Sequence, residues 1–223
     1  MIPSFQGNLR FYPWYVGLFH AYFWLPVYFL FFNSKLDLSA VLYLASIYFA
    51  SVVVMEVPSG WFSDTFGRKR TLVAASCFLC ISYALFIFAN SFEQFMVAQI
   101  FLAAGIAFNS GTDTSFLLET TQALNQEESY APCEAKAMKF NFLGTAFAAV
   151  LGGLAAIPDY RGAYVLSLAG GIGLLVITLQ FKEPTQDKKE GHVNFFQQIV
   201  SCFGLLRNVR LLWLSVFAIF MIV

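Results

Sequence analysis

Residues 60–70 read Gly60-Trp61-Phe62-Ser63-Asp64-Thr65-Phe66-Gly67-Arg68-Lys69-Arg70, a short polar stretch set between two long apolar runs. An acid, a glycine and three bases sit within a few residues of one another. A connection this short joins two membrane-spanning helices at one surface of a bilayer, and its three cations indicate which surface. Lys and Arg accumulate on the cytoplasmic face, where anionic lipid and the membrane potential retain them.

Composition places the rest of the chain in the same setting. Of 223 residues, 59% are hydrophobic and 12% charged, with 27 phenylalanines; an average soluble domain has about 25% charged residues. A soluble fold of this length has no interior large enough to hide so much apolar surface. Formal net charge is zero, and no basic stripe stands outside the loops, which argues against nucleic acid as a partner. The opening apolar segment is too long for a signal-peptide core and lacks a small-residue cleavage site, so it reads as a retained span. Cys77 and Cys80 lie one helical turn apart within an apolar run, while Cys133 and Cys202 stand alone. Cysteines so placed read as small hydrophobes rather than as a redox or metal pair.

A helix needs about 20 apolar residues to cross roughly 30 Å of hydrocarbon. Six segments qualify or come close: 11–32, 38–61, 71–89, 95–118, 140–157 and 163–181. Brief connections at 33–37, 90–94 and 158–162 alternate with long charged ones at 119–139 and 182–210. With the N-terminus inside, one side receives Arg10, Arg68, Lys69, Arg70, Lys136, Lys139, Lys182, Lys188, Lys189, Arg207 and Arg210; the other receives Lys35 and Arg161. That asymmetry predicts a multi-pass protein of the cell (inner) membrane with its N-terminus in the cytoplasm. The chain divides into a transmembrane bundle over 1–181, a cytoplasmic linker over 182–210 and the beginning of a seventh span over 211–223. In the linker, Phe195, Phe196, Ile199, Val200, Phe203 and Leu206 recur at helical spacing, the pattern of an amphipathic helix lying on the membrane surface.

The pattern Gly-x-x-x-Asp-x-x-Gly-Arg-Lys resembles the loop between the second and third helices of the major facilitator superfamily of secondary transporters. Glu-x-Pro-Ser-Gly at 56–60 and Phe-x-Ser-Gly-Thr-Asp at 108–113 are similar to one branch of that superfamily, rich in drug and metabolite exporters. The resemblance implies an all-α integral membrane protein, with six transmembrane helices of the N-terminal bundle and the start of a seventh. Such transporters have two six-helix halves with the substrate route between them. The expected partners are therefore membrane lipid, a small organic solute, and a C-terminal half or partner subunit. The expected activity is alternating-access transport, with proton-coupled export as its direction and no cofactor. A non-transporting membrane scaffold or assembly subunit is the alternative. No phosphate-binding glycine loop, metal-spaced cluster or nucleophile–base set points to an enzyme.

In the superfamily the Asp and Arg of this loop join a charge network at the cytoplasmic helix ends, which latches the outward-facing state. By resemblance Asp64 and Arg68 carry that role. Lys69 and Arg70 follow at the start of the third helix, and Gly60 and Gly67 allow close helix approach. Topogenic charge alone would account for Arg68, Lys69 and Arg70, but not for the spacing of Gly60, Asp64 and Gly67.

Ionisable groups within the spans are the candidates for proton or substrate contact. Glu56 lies about two turns before Asp64. A mid-membrane charge costs roughly 2.5–3.5 kcal/mol, so Glu56 is expected to face a cavity or a partner; a structural hydrogen bond to a neighbouring helix is the competing role. Asp113 sits in the polar island Asn109-Ser110-Gly111-Thr112-Asp113-Thr114-Ser115, which needs water or partners because lipid offers no hydrogen bonds. Glu119, about 600° further along the helix, does not share its face. His20 occupies the middle of the first span with Tyr22 and Trp24 nearby and Pro26 beyond. Histidine changes charge near neutral pH, though a neutral ring bonded to another helix is the simpler role. Tyr22, Phe23, Trp24 and Tyr28 suit an aromatic or amphipathic solute. Two departures bear on coupling. Phe101 stands where proton antiporters of the superfamily carry an Arg before Gly105. In the fifth helix Ala148 and Ala149 replace the glycine-proline step of drug antiporters, leaving Gly144, Gly152 and Gly153. Proton coupling would then fall to Glu56, Asp113 or His20.

Overall fold

The structure is a computed structural model that describes residues 5–184. The rest of the linker, with its expected amphipathic helix, and the run 211–223 lie outside the described residues. The described residues are helical, with no strand among them. Five stretches are long and apolar enough to cross a membrane: Leu38–Phe66, Arg68–Phe88, Phe92–Ala123, Glu127–Ala155 and Arg161–Gln180.

The first span differs from its expected form. Helix α1 (Gln6–Phe19) ends with His20 as its C-cap, residues 20–27 run through turns, and α2 (Tyr28–Asn33) resumes beyond them. One continuous helix over 11–32 is therefore not what forms. Pro26 supplies a cause: it has no N–H for the carbonyl of Tyr22, and its ring would collide with that carbonyl in a regular helix. The Tyr22 carbonyl instead accepts from the N–H of Leu25 at 3.1 Å.

Helix α3 (Leu38–Phe66) continues past Trp61, so most of the 60–70 stretch is helical, and α4 (Arg68–Phe88) begins after a single residue. That residue is Gly67, at φ 100°, a conformation that costs glycine little. The fourth span is also interrupted. Helix α5 (Phe92–Asn109) opens with a capping box of Ser91 and Gln94, stops at Ser110-Gly111, and α6 (Thr112–Ala123) follows. Gly111 is left-handed at φ 70°. A 3-10 turn over Glu127–Ser129 leads into α7 (Tyr130–Ala155), and α8 (Arg161–Gln180) closes the bundle. The 119–139 connection is thus largely helical rather than an extended charged loop.

Helix α4 packs on α5 and α8, α3 on α5, and α1 on α7 and α8. Leu44, Leu72, Leu79 and Leu102 fill the middle, and Phe31, Phe86, Phe95 and Tyr164 interlock at ring separations of 4.9–6.2 Å toward the end remote from Gly67. Between helices surrounded by lipid the water-driven force is absent, so close contact and small residues decide the packing. Gly144 backs onto the carbonyl of Gly17, and Gly152 onto the carbonyl of Phe23, leaving no room for a Cβ at either. Helices α3 and α7 are the least covered, with 11% and 17% of their apolar windows buried.

Neighbouring glycines test this seam. Gly152→Ala is expected to force α7 off the turn at Phe23, an overpacking cost of about 1–3 kcal/mol that lowers the thermal midpoint in detergent by about 2–10 °C. Gly153→Ala, whose added methyl meets nothing within 4 Å, is expected to keep it or raise it slightly, since alanine favours a helix interior over glycine. Equal midpoints for both variants would contradict the contact.

Candidate functional site

The turn between α3 and α4 puts Arg68 at the first position of α4, one residue beyond Gly67. Its Nη1 donates to Ser63 Oγ at 2.7 Å and to Asp64 Oδ1 at 2.9 Å, and its Nε donates to Glu119 Oε1 at 2.9 Å. Thr112 Oγ1 donates to Ser63 Oγ at 3.3 Å. One guanidinium thereby joins α3, α4 and α6, which suits a planar fork better than a lysine point charge. The two ion pairs are unequal. Asp64 is 54% exposed and Glu119 24%, so the Glu119 pair is less screened, and losing either of its partners would leave a poorly solvated charge. The expected Asp64–Arg68 pair is present; Glu119 as its third member was not expected.

Glu183, just beyond α8, reaches the same turn. Its carboxylate accepts from the backbone N–H of Lys69 at 3.1 and 3.3 Å, occupying the positive end of α4, where helix N–H groups lack internal partners. A Cβ on Gly67 would lie 2.6 Å from Glu183 Oε1, so glycine is required there for both φ and space. Burial pushes the Glu183 carboxyl above its ordinary range, opposed by the N–H groups of Lys69, Arg68 and Arg70. The preceding residue is held too. Asn8 Nδ2 donates to the Lys182 carbonyl at 2.8 Å, and Asn8 Oδ1 accepts the Lys182 N–H at 2.9 Å. Asn8 Nδ2 also reaches Thr120 Oγ1 at 3.3 Å. Lys69 thus contributes its backbone, and Arg70 is exposed. Gly60 makes no close approach: a Cβ there would meet nothing within 4 Å among the described residues.

A second group forms where the first and fourth spans are interrupted. Asp113 lies in the first turn of α6, its Oδ1 accepting from the Thr114 N–H at 2.8 Å. The N-terminal end of a helix favours a negative charge. Asn109, the last residue of α5, accepts from the Tyr15 hydroxyl. His20 caps α1, with Nδ1 2.9 Å from the Val16 carbonyl. A carbonyl only accepts, so Nδ1 carries a proton and Nε2 is the acceptor of the neutral ring. Asp113 lies within electrostatic reach of His20, Tyr12, Tyr15, Tyr22 and Tyr130. From α7, Thr145 Oγ1 donates to the His20 carbonyl at 3.1 Å.

His20, Tyr22, Asn109 and Asp113 are therefore brought together. Trp24 lies tilted against Tyr22 with ring centroids 6.0 Å apart, and its buried indole N–H, near Tyr83 of α4, makes no well-formed hydrogen bond among the described residues. Glu56 is exposed on α3, and its carboxylate bonds to none of the described residues. Tyr15, Ser63, Asn8 and Glu183 were missed from sequence, and Glu119 was considered without its link to Arg68. For Tyr15, Asn8 and Glu183 the partners lie about a hundred or more positions away in the chain, and only the polar island around Asn109 gave a signal.

A family model described as Major Facilitator Superfamily matches residues 14–223. No curated protein matches the chain. The chain belongs to the major facilitator superfamily, and with its apolar helices it is a multi-pass membrane protein of a family of secondary transporters.

Glu183 gives a pH expectation. Its folded-state carboxyl lies above the ordinary value of about 4.3, so its contribution to stability is full below that value and declines as pH rises through the raised one. Across about pH 4 to 8, the melting midpoint of the protein in detergent should fall relative to that of Glu183→Gln. A constant difference over that range would contradict the burial of this carboxylate.

Proposed function

We propose that this superfamily member exports a small organic solute across the cell membrane by alternating access, driven by proton entry. The observation that carries the reading is the coincidence of two interrupted spans with two ionisable side chains. His20 closes α1, Asp113 opens α6, and the two lie within electrostatic reach of each other. In transporters, half-helix ends near mid-membrane are where ions and substrates are held: the positive end favours an anion and the negative end a cation. Both residues follow that polarity. Proton and solute would compete for the Asp113 carboxylate, so that each cycle exchanges one for the other. Tyr22 and Trp24 supply an aromatic flank for the solute.

The node at Gly67 fits the role of a cytoplasmic latch. Arg68 holds α3, α4 and α6 in one arrangement, with Asp64 at its more exposed rim. The open surface at Gly60 and the bases Lys69 and Arg70 would meet an opposing half or partner subunit. A shielded three-way charge cluster resists gradual deformation, which suits a device with two states rather than a continuum.

Purified protein in proteoliposomes, loaded with a pH-sensitive dye and offered a panel of aromatic amines, tests the coupling. Asp113→Asn is expected to reduce solute-induced proton flux to the protein-free background. Glu56→Gln, outside the cluster, is expected to retain it. Flux in Asp113→Asn equal to that of the parent would remove Asp113 from the mechanism.

A further inference from the structure

We propose that α6 is a strut carrying the state of Asp113 to the cytoplasmic node, with Ser63 and Thr112 as the positioning residues that make the connection. The inference rests on the readings of Asp113 as the coupling group and of the Gly67 node as a latch, and it supplies the physical link between them.

Helix α6 is separable from the helix before it. The Ser110 N–H closes on the Ile106 carbonyl at 3.0 Å, and the next backbone bond, from Ser115 to Gly111, already belongs to the following turn. Between them the left-handed Gly111 redirects the chain, and the Thr114 N–H goes to the Asp113 carboxylate rather than back to α5. With the hydrogen-bond ladder broken there, the start of α6 is placed by its contacts with other helices.

Arg68 holds α6 at two points. Glu119 takes the guanidinium Nε directly at 2.9 Å, while Thr112 reaches Nη1 through Ser63 Oγ, over bonds of 3.3 and 2.7 Å. Thr112 and Glu119 are seven residues apart, about 700° along a helix, so they lie on nearly the same face about 10 Å from each other. The hydroxyl pair connects whichever member donates, because Ser63 Oγ keeps a lone pair for Arg68 in either case. Ser63 is 1% exposed and Thr112 3%, so no water stands in for a lost partner, and a buried oxygen left unmatched is costly. Thr121 and Ser167, equally buried, instead bond carbonyls about one turn back on their own helices. Asp113 directly follows Thr112. A carboxylate that shifts as it trades a proton for solute therefore moves Thr112, and α6 delivers the movement to the guanidinium at both contacts. Such a coupling is reciprocal, so a loosened node is felt at Asp113 as well.

Hydrogen–deuterium exchange of the purified full chain in detergent reads the link without a solute. Asp113→Asn is expected to change amide exchange over residues 63–70 by about two- to tenfold, the range that one hydrogen bond supports. Placed in Thr112→Val or Ser63→Ala, the same substitution is expected to give no response there, and Thr112→Ser, which restores a hydroxyl, is expected to return it. Ser167→Ala removes a buried hydroxyl outside the path and is expected to leave the response intact. A turn unmoved by Asp113→Asn in the parent, a response that persists in Thr112→Val, or one lost in Ser167→Ala overturns the strut. Proton flux indifferent to Asp113→Asn, alongside an intact exchange response, would instead remove the coupling role of Asp113 and leave the link standing.

Discussion

Hydrocarbon gives an unpaired backbone N–H or carbonyl nothing to bond, so a helix interrupted within a membrane must find partners among its neighbours. The two interruptions here meet that requirement in different ways. At residues 20–27 the chain closes short turns on itself, Thr145 caps the His20 carbonyl, and Gly152 lets α7 come against Phe23. At Ser110-Gly111 the left-handed glycine redirects the chain, and the Gly111 carbonyl accepts from the Ser115 N–H at 3.2 Å. Polar side chains gather at these two places because the backbone there is irregular. Asp113 and His20 thus stand where a membrane protein tolerates polarity at least cost.

The end of the bundle at Gly67 obeys a related rule with charges. Arg68 could not be shielded by its surroundings without matching acids, and it has two, on different helices. Glu183 answers the other electrostatic feature of that end, the unmatched N–H groups of α4. Asn8 then grips the Lys182 peptide on both its edges, as a neighbouring strand would. Five of the expected spans are drawn into this set of contacts, or into helices continuous with it; the fifth span, α7, is held elsewhere, along its glycine seam with α1.

Features written locally were legible in the sequence. Apolar run length marked most of the spans, Gly67 between two apolar runs marked the turn, and the resemblance of the Asp64–Arg68 motif to the superfamily's charge network pointed to one ion pair. The polar island marked Asn109 and Asp113. What escaped depends on register between distant segments. Asn8 and Lys182 are 174 positions apart, and Tyr15 and Asn109 are 94 apart, separations over which no spacing rule operates. Pro26 was visible, yet proline is tolerated in many membrane helices, so it did not by itself announce that the first span would come apart. Gly60, whose place in the motif suggested a close helix approach, makes none among the described residues.

Helices α3 and α4 share Gly67 as the closing residue of one and the opening residue of the other. A hinge needs slack, and this joint has none to give. With Arg68 of α4 also clasping Ser63 and Asp64 of α3, a tilt of one arm pulls on its twin.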